Sequence, residues 1–260
     1  MENKKGRIFI TSDVHGCLDE LIKGLELINF KSNDILYVLG DANDKGPKSL
    51  ETIDYIRNKK NIIHIKGNHE YAIERSIEGD IRIPNKKQIL KEVEERNIID
   101  NGYKESLYRY IKGLPYYIIE GDFLLIHGGI DINIEDTKEE IIKKLEDKAI
   151  EEQVLLNREF WINIFDPIYK TKENNLGSKY LNIIIGHTPM QNTFEKNINI
   201  GIRENKYGKK VICLDTGVFT SAKDYDGKLS IIEIGKDNIL NIVYVNSNIW
   251  SIKRNIDLKI

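Results

Sequence analysis

Residues 10–16 read ITSDVHG, residues 38–46 read VLGDANDKG and residues 65–70 read IKGNHE. Each is a short β-branched run that ends directly in a glycine-flanked cluster of acid, amide or histidine. Between them, residues 18–29 and 49–58 space their apolar side chains for amphipathic helices, so the stretch 7–65 alternates strand, helix, strand, helix, strand. That alternation predicts a parallel sheet. Open α/β sheets collect their chemistry at the carboxyl ends of the strands, which makes the three polar turns neighbours in space.

Outside this stretch the pattern changes twice. Residues 80–113 become helical and charged, with KQILKEVEERN and SLYRYIKGL, and carry no catalytic-looking cluster. They are expected to form a helical cap or insert beside the active face. Residues 116–119, the turn EGD and the run FLLIHGG then read as a hairpin that opens a second sheet and delivers His127. Helical segments at 138–149 and 151–164 follow, and the strand LNIIIGHT delivers His187. VICLDTG, LSIIEI and ILNIVYV supply further strands. The expectation is one α/β domain over 1–260, a two-sheet β-sandwich flanked by helices.

Bulk properties exclude several classes. A hydrophobic share of 40% supports a substantial core and a charged share of 31% a well-solvated surface, so neither a disordered nor a fibrous chain fits. With 39 basic against 41 acidic residues the net charge is -2, without the basic footprint of a dedicated nucleic-acid binder or of a protein that adheres to anionic membranes. No apolar run reaches eighteen residues and MENKKGRIFIT has no leader-like apolar stretch, from which a cytoplasmic location is expected. Cys17 and Cys213 are far apart and lack CxxC partners, which argues against a disulfide framework or a thiolate zinc site.

Four of the five histidines, His15, His69, His127 and His187, sit in such glycine-flanked turns; His64, inside IIHIK, belongs to the core class. Asp13 and His15 are spaced i, i+2, which on an extended segment puts both on one face and lets them grip one ion. Asp41 has two carboxylate oxygens and is the natural bridge between two cations about 3.5–4 Å apart. Asn68, His127 and His187 complete the shell of the second ion. A donor set of carboxylate, amide oxygen and imidazole without thiolate favours Mn²⁺, with Fe and Zn as alternatives.

DVHG, GDANDKG, GNHE, HGG and GHT, in this order, resemble the phosphoprotein phosphatase family within the calcineurin-like metallophosphoesterases, especially its bacterial and phage branch. The resemblance spans residues 8–217, although 80–113 carries no family motif. It implies a four-layer αββα fold in which Asp13, His15 and Asp41 hold one divalent metal and Asp41, Asn68, His127 and His187 the other. It further implies that His69, supported by Asp44, handles the proton. Lys45 stands where the family usually has arginine in GDxxDRG, and keeps the charge without the planar fork. Asn43 occupies a position that is usually aliphatic. A second family arginine is matched by Arg158 in LLNREFW, so Lys45 and Arg158 are the candidate phosphate-binding cations. LDTG at 214–217 resembles the late strand-end segment that follows the family's last metal histidine, where a turn role stands beside a catalytic one, and Tyr108, Tyr110, Tyr116 and Tyr117 are expected to pack a core rather than border a groove. The activity implied is a serine/threonine-type protein phosphatase acting on phosphomonoesters by direct attack of water held between the ions. Two alternatives stand beside it: a symmetrical dinucleoside polyphosphate hydrolase, and a metal-binding regulatory protein with weak catalysis. The substrate is then a phosphorylated protein or a small phosphoester or nucleotide.

Overall fold

On β1 (Ile8–Thr11) the side chain of Phe9 joins one apolar layer and that of Ile10 another, because successive residues of a strand point to opposite faces. The same alternation runs through β2 (Ile35–Val38), where Leu36 and Val38 lie on the side of Phe9 and Tyr37 on that of Ile10. The computed structural model describes residues 6–80, 87–165, 177–192, 199–220, 227–235, 239–246 and 256–259. In it, β1, β2 and β3 (Ile62–His64) pair in parallel, joined by α1 (Leu18–Leu27) and α2 (Ser49–Arg57). This is the arrangement that the opening pattern predicts.

The remaining strands make both sheets mixed. β9 (Lys228–Ile234), β10 (Ile239–Asn246) and β11 (Ile256–Lys259) extend the first sheet antiparallel from β1, in the order β11-β10-β9-β1-β2-β3. The second sheet has the order β4-β5-β6-β8-β7, built from β4 (Tyr117–Glu120), β5 (Phe123–Ile126), β6 (Asn182–Ile185), β7 (Gly201–Glu204) and β8 (Lys210–Cys213). Its centre, β5-β6-β8, is parallel, and its two edge strands are antiparallel. The short edge strand β7, GIRE, carries too little alternation to be seen in the sequence.

Three apolar layers hold these sheets and their helices together. Ile10, Tyr37, Leu39, Leu125, Ile184 and Ile232 fill the space between the two sheets. Phe9, Leu21, Ile53 and Val243 pack the first sheet against its helices, and Ile126, Leu145, Trp161 and Ile183 do the same for the second. Helix, sheet, sheet, helix is therefore the order of layers, the four-layer αββα sandwich expected from the motifs.

α3 (Asn68–Ile77) begins inside the GNHE turn. α4 (Lys87–Ile99) and α5 (Tyr103–Lys112) pack on α2 and α3, with Val93, Leu107 and Ile111 buried in the outer layer of the first sheet. Residues 81–86 of the expected insert lie outside the described residues. After α6 (Lys138–Glu146), the helical stretch expected over 151–164 is broken into α7 (Glu151–Leu156) and α8 (Glu159–Phe165). Asn157 Oδ1 accepts the Phe160 N–H at 2.9 Å, the kind of side-chain capping that starts a new helix. Arg158 therefore lies at a helix break, not on a continuous helix surface.

Candidate metal centre

The β1 and β2 turns are laced together by backbone hydrogen bonds before any side chain is considered. Asp13 N–H donates to Gly40 O at 3.1 Å, His15 N–H to Asp41 O at 2.8 Å and Gly16 N–H to Ala42 O at 2.8 Å. Glu70, fully buried, closes the arrangement by accepting from Asp41 N, Ala42 N, Gly67 N and Asn43 Nδ2 at 2.6–2.9 Å. Four donors compensate the cost of burying that carboxylate. They also explain Asn43, whose side-chain amide N–H serves Glu70; its main-chain carbonyl separately accepts from His15 Nδ1 at 3.0 Å.

Asp41 lies at the middle of the site. Its Oδ2 is 3.7 Å from His15 Nε2 and 3.6 Å from His69 Nε2, while its Oδ1 is 3.4 Å from His127 Nε2. Two groups of potential ligands result, His15/Asp41/His69 and Asp41/His127/His187, with Asp41 common to both and every member buried. Asn68 Oδ1 lies 3.0 Å from His127 Nε2 and adds an amide oxygen to the second group. Asp13 Oδ1 is 3.7 Å from His15 Nε2 and adds a carboxylate to the first. All six residues expected to hold metal thus converge, as do His69 and Asp44, whose Nδ1 and Oδ2 are 2.9 Å apart.

Buried polar atoms without partners test whether cations fit here. Asp13 Oδ2 accepts from the Ser12 hydroxyl at 2.5 Å and from His187 N at 2.9 Å, but Oδ1 has no hydrogen-bond partner. Neither ring nitrogen of His187 makes a well-aligned hydrogen bond, the Leu156 main chain being its nearest polar support. Buried polar atoms are almost always satisfied, so these orphans mark where a ligand belongs. The electrostatics differs from ligand to ligand. Burial disfavours a charged His127, yet the Asp41 carboxylate overrides it and raises the imidazole to about 9. Burial pushes Asp13 up to about 6, and burial, with His127 and Arg158 nearby, takes His187 down to about 2. Asp41 thus favours positive charge on His127, while burial and the neighbouring cations disfavour it on His187. Nδ1 of His127 faces Leu39 O at 2.7 Å and Nδ1 of His15 faces Asn43 O, so each ring presents Nε2 to the centre.

The phosphate-binding candidates sit at the rim. Arg158 Nη1 donates to His187 O at 2.5 Å. Lys45 Nζ lies 2.9 Å from His15 Nε2 and 4.0 Å from the centroid of the Phe219 ring. Phe219 also meets the His15 ring edge to face at 4.8 Å. Glu70 and Phe219 were not singled out from the sequence; the Glu closing GNHE, at the third position of α3, was the available signal for the first. Asp215 of LDTG accepts Gly217 N at 3.0 Å, a turn contact. The tyrosines take structural partners, with Tyr110 OH 3.1 Å from His64 Nδ1 and Tyr116 OH donating to Leu145 O. Cys17 and Cys213 are buried free thiols.

The model of the calcineurin-like phosphoesterase family matches residues 6–216. The chain belongs to this family. Among relatives of the phosphoesterase, a symmetrical bis(5'-nucleosyl)-tetraphosphatase from Neisseria meningitidis is 28% identical over 169 residues, covering 63% of this chain and 56% of that protein. The chain spans about half the length of the curated relatives it matches. The crystal structure of a candidate diadenosine tetraphosphatase superposes with a TM-score of 0.55 at 18% identity, over 94% of this chain and 96% of that one. A cold-active protein-tyrosine phosphatase from a psychrophilic Shewanella gives 0.54 at 17% identity, over 96% and 80%. At these identities the two structures establish a shared phosphoesterase fold and nothing about substrate.

Proposed function

We propose that this phosphoesterase hydrolyses dinucleoside polyphosphates symmetrically, diadenosine tetraphosphate being the type substrate. That reverses the order of the two enzymatic readings drawn from the motifs, which set a serine/threonine-type protein phosphatase first. The observation that carries the reaction type is the sharing of Asp41 between two buried ligand groups. The tetraphosphatase relatives support the substrate class. So does a cavity of about 710 Å³ lined in part by Arg158, where Ile132, Leu156 and Phe160 stand among the amides of Gln153 and Asn157 and the carboxylates of Asp131 and Glu159. Apolar side chains interspersed with amides suit a nucleoside.

In this reading Asp13, His15 and Asp41 hold one divalent cation, and Asp41, Asn68, His127 and His187 the other, with Mn²⁺ suited to the donor set. The bound pair supplies Lewis-acid charge and lowers the pKa of a shared water. The chain's own groups do the rest. Asp44 Oδ2 fixes His69 through Nδ1 and leaves Nε2, near Asp41, to give a proton to the departing oxygen. Arg158, anchored on His187 O, offers its remaining N–H donors to phosphate oxygens. Lys45 adds a second positive charge on the opposite rim.

Turnover of diadenosine tetraphosphate and of a phosphoserine and phosphothreonine peptide panel, measured with Mn²⁺ on one preparation, tests the substrate. Release of two equivalents of ADP per dinucleotide, with peptides cleaved far more slowly, is the expected result. Brisk peptide dephosphorylation with the dinucleotide left intact would restore the protein-phosphatase reading.

A further inference from the structure

The position of Lys45 carries an inference that the phosphate-binding role does not contain. Its backbone lies in the left-handed region at φ 63°, and so does that of Asp44 at φ 70°. This unusual pair of conformations turns the side chain back towards β1 rather than out from the loop. The ammonium comes to rest 2.9 Å from His15 Nε2. Nδ1 of the same ring is committed to Asn43 O, so Nε2 offers a single lone pair. Phe219 completes a cradle, with its ring face 4.0 Å from the ammonium and its ring 4.8 Å from that of His15. Asp13 Oδ1 and Asp41 Oδ2, each 3.7 Å from His15 Nε2, are the carboxylate oxygens nearest this nitrogen.

We infer that Lys45 is an internal competitor for the cation of the His15 side: its ammonium occupies the His15 nitrogen that the ion needs, and must leave before the ion is seated. The inference rests on the metal-centre reading above. One lone pair serves one Lewis acid at a time, so seating the ion breaks the lysine contact. A lysine can play this part where an arginine cannot do so equally well, since an ammonium is a compact point charge, close in shape to an ion, and a guanidinium is a broad plane. The two ligand groups then differ. The Asp41, His127 and His187 group, whose two imidazoles do not touch the lysine, loads first and the His15 side second. Displacement frees the ammonium at the rim, beside the place where a substrate phosphate meets the centre, so loading the second ion and presenting a phosphate-binding charge become one event.

The test uses the whole chain, stripped with chelator and titrated with Mn²⁺ by calorimetry, alongside Lys45→Met and Lys45→Ala. The weaker of two binding events is expected to tighten about tenfold or more in both variants, while the tighter event stays unchanged. The chelated variants should melt below the chelated wild type, because a cation has been taken from a cluster of acids, and the gap should close on loading. Unchanged affinity for the weaker ion in variants that are folded by circular dichroism overturns the inference and leaves the metal centre standing. A crystal structure of the loaded protein with Nζ still on His15 Nε2 does the same. Failure of the wild type to bind any Mn²⁺ removes the metal centre itself, and the competition with it.

Discussion

Seven non-glycine residues among those described have positive φ, and six of them are Asp13, His15, Asp41, Asp44, Lys45 and His187. Such conformations cost about 1–3 kcal/mol each and persist only where surrounding contacts over-determine them. At Asp41 the over-determination has an identifiable source in Glu70. Replacing it by Ala leaves the N–H groups of Asp41, Ala42 and Gly67 and the Asn43 amide without an acceptor in a buried site. At about 1–3 kcal/mol per unsatisfied group, Glu70→Ala is expected to cost more than ~3 kcal/mol in urea unfolding and to abolish metal binding. A variant that unfolds at the wild-type midpoint would remove Glu70 from this role. His69 supports a different kind of prediction. A general acid matters most when the leaving group is a poor one, so His69→Asn should slow alkyl phosphate monoesters by about 10²–10⁴. A dinucleoside tetraphosphate, which expels the good leaving group ADP, should lose much less, with metal content unchanged. Equal losses on both substrates would exclude proton donation by His69.

At the scale of elements, what was legible in the sequence is what local rules control. The strand ends at Asp13, Asp41 and Asn68 could be located because β-branched runs stop at glycine-flanked polar turns, and β1, β2 and β3 pair as that pattern predicts. The antiparallel arm β9-β10-β11 and the edge strand β7 were not legible as such, because their partners are set by tertiary packing and not by their own residues. The break between α7 and α8 was missed for a related reason: Asn157 caps α8 locally, but helical spacing continues across it. Glycines show the limit from the other side. Gly186 looks like any turn residue in GHT, yet a Cβ there would lie 1.9 Å from Ser12 Oγ and 2.1 Å from Asp13 Oδ2. It is the point where the second sheet touches the Asp13 carboxylate. Gly186→Ala should therefore push Asp13 off its place, weaken binding of the His15-side ion at least tenfold and lower activity in step. Wild-type metal affinity in the folded variant, read by calorimetry, would show that the turn yields without moving Asp13.

Over the whole molecule, the centre lies where the two sheets meet, and it holds them to each other. His187, after β6 in the second sheet, donates its N–H to Asp13 in the first, and His127 Nδ1 faces Leu39 O across the same seam. Asp13, His15 and Asp41 all come from the first sheet, so an ion bound there braces loops of one sheet. An ion held by Asp41, His127 and His187 joins the two. Binding to the native state alone stabilises it by RT ln(1 + [L]/Kd), about 2.7 kcal/mol at a hundredfold excess over Kd. For a chain of this size that corresponds to a rise of roughly 5–10 °C in Tm. Mn²⁺ added to chelated protein is thus expected to raise Tm by this order in scanning calorimetry. Asp41→Asn should lose most of the rise together with hydrolysis, since one residue serves both groups. His187→Ala should lose more of it than His15→Ala, because only the His187 side links sheet to sheet. Equal losses in those two variants would mean that the cations stabilise the loops without fastening the sandwich.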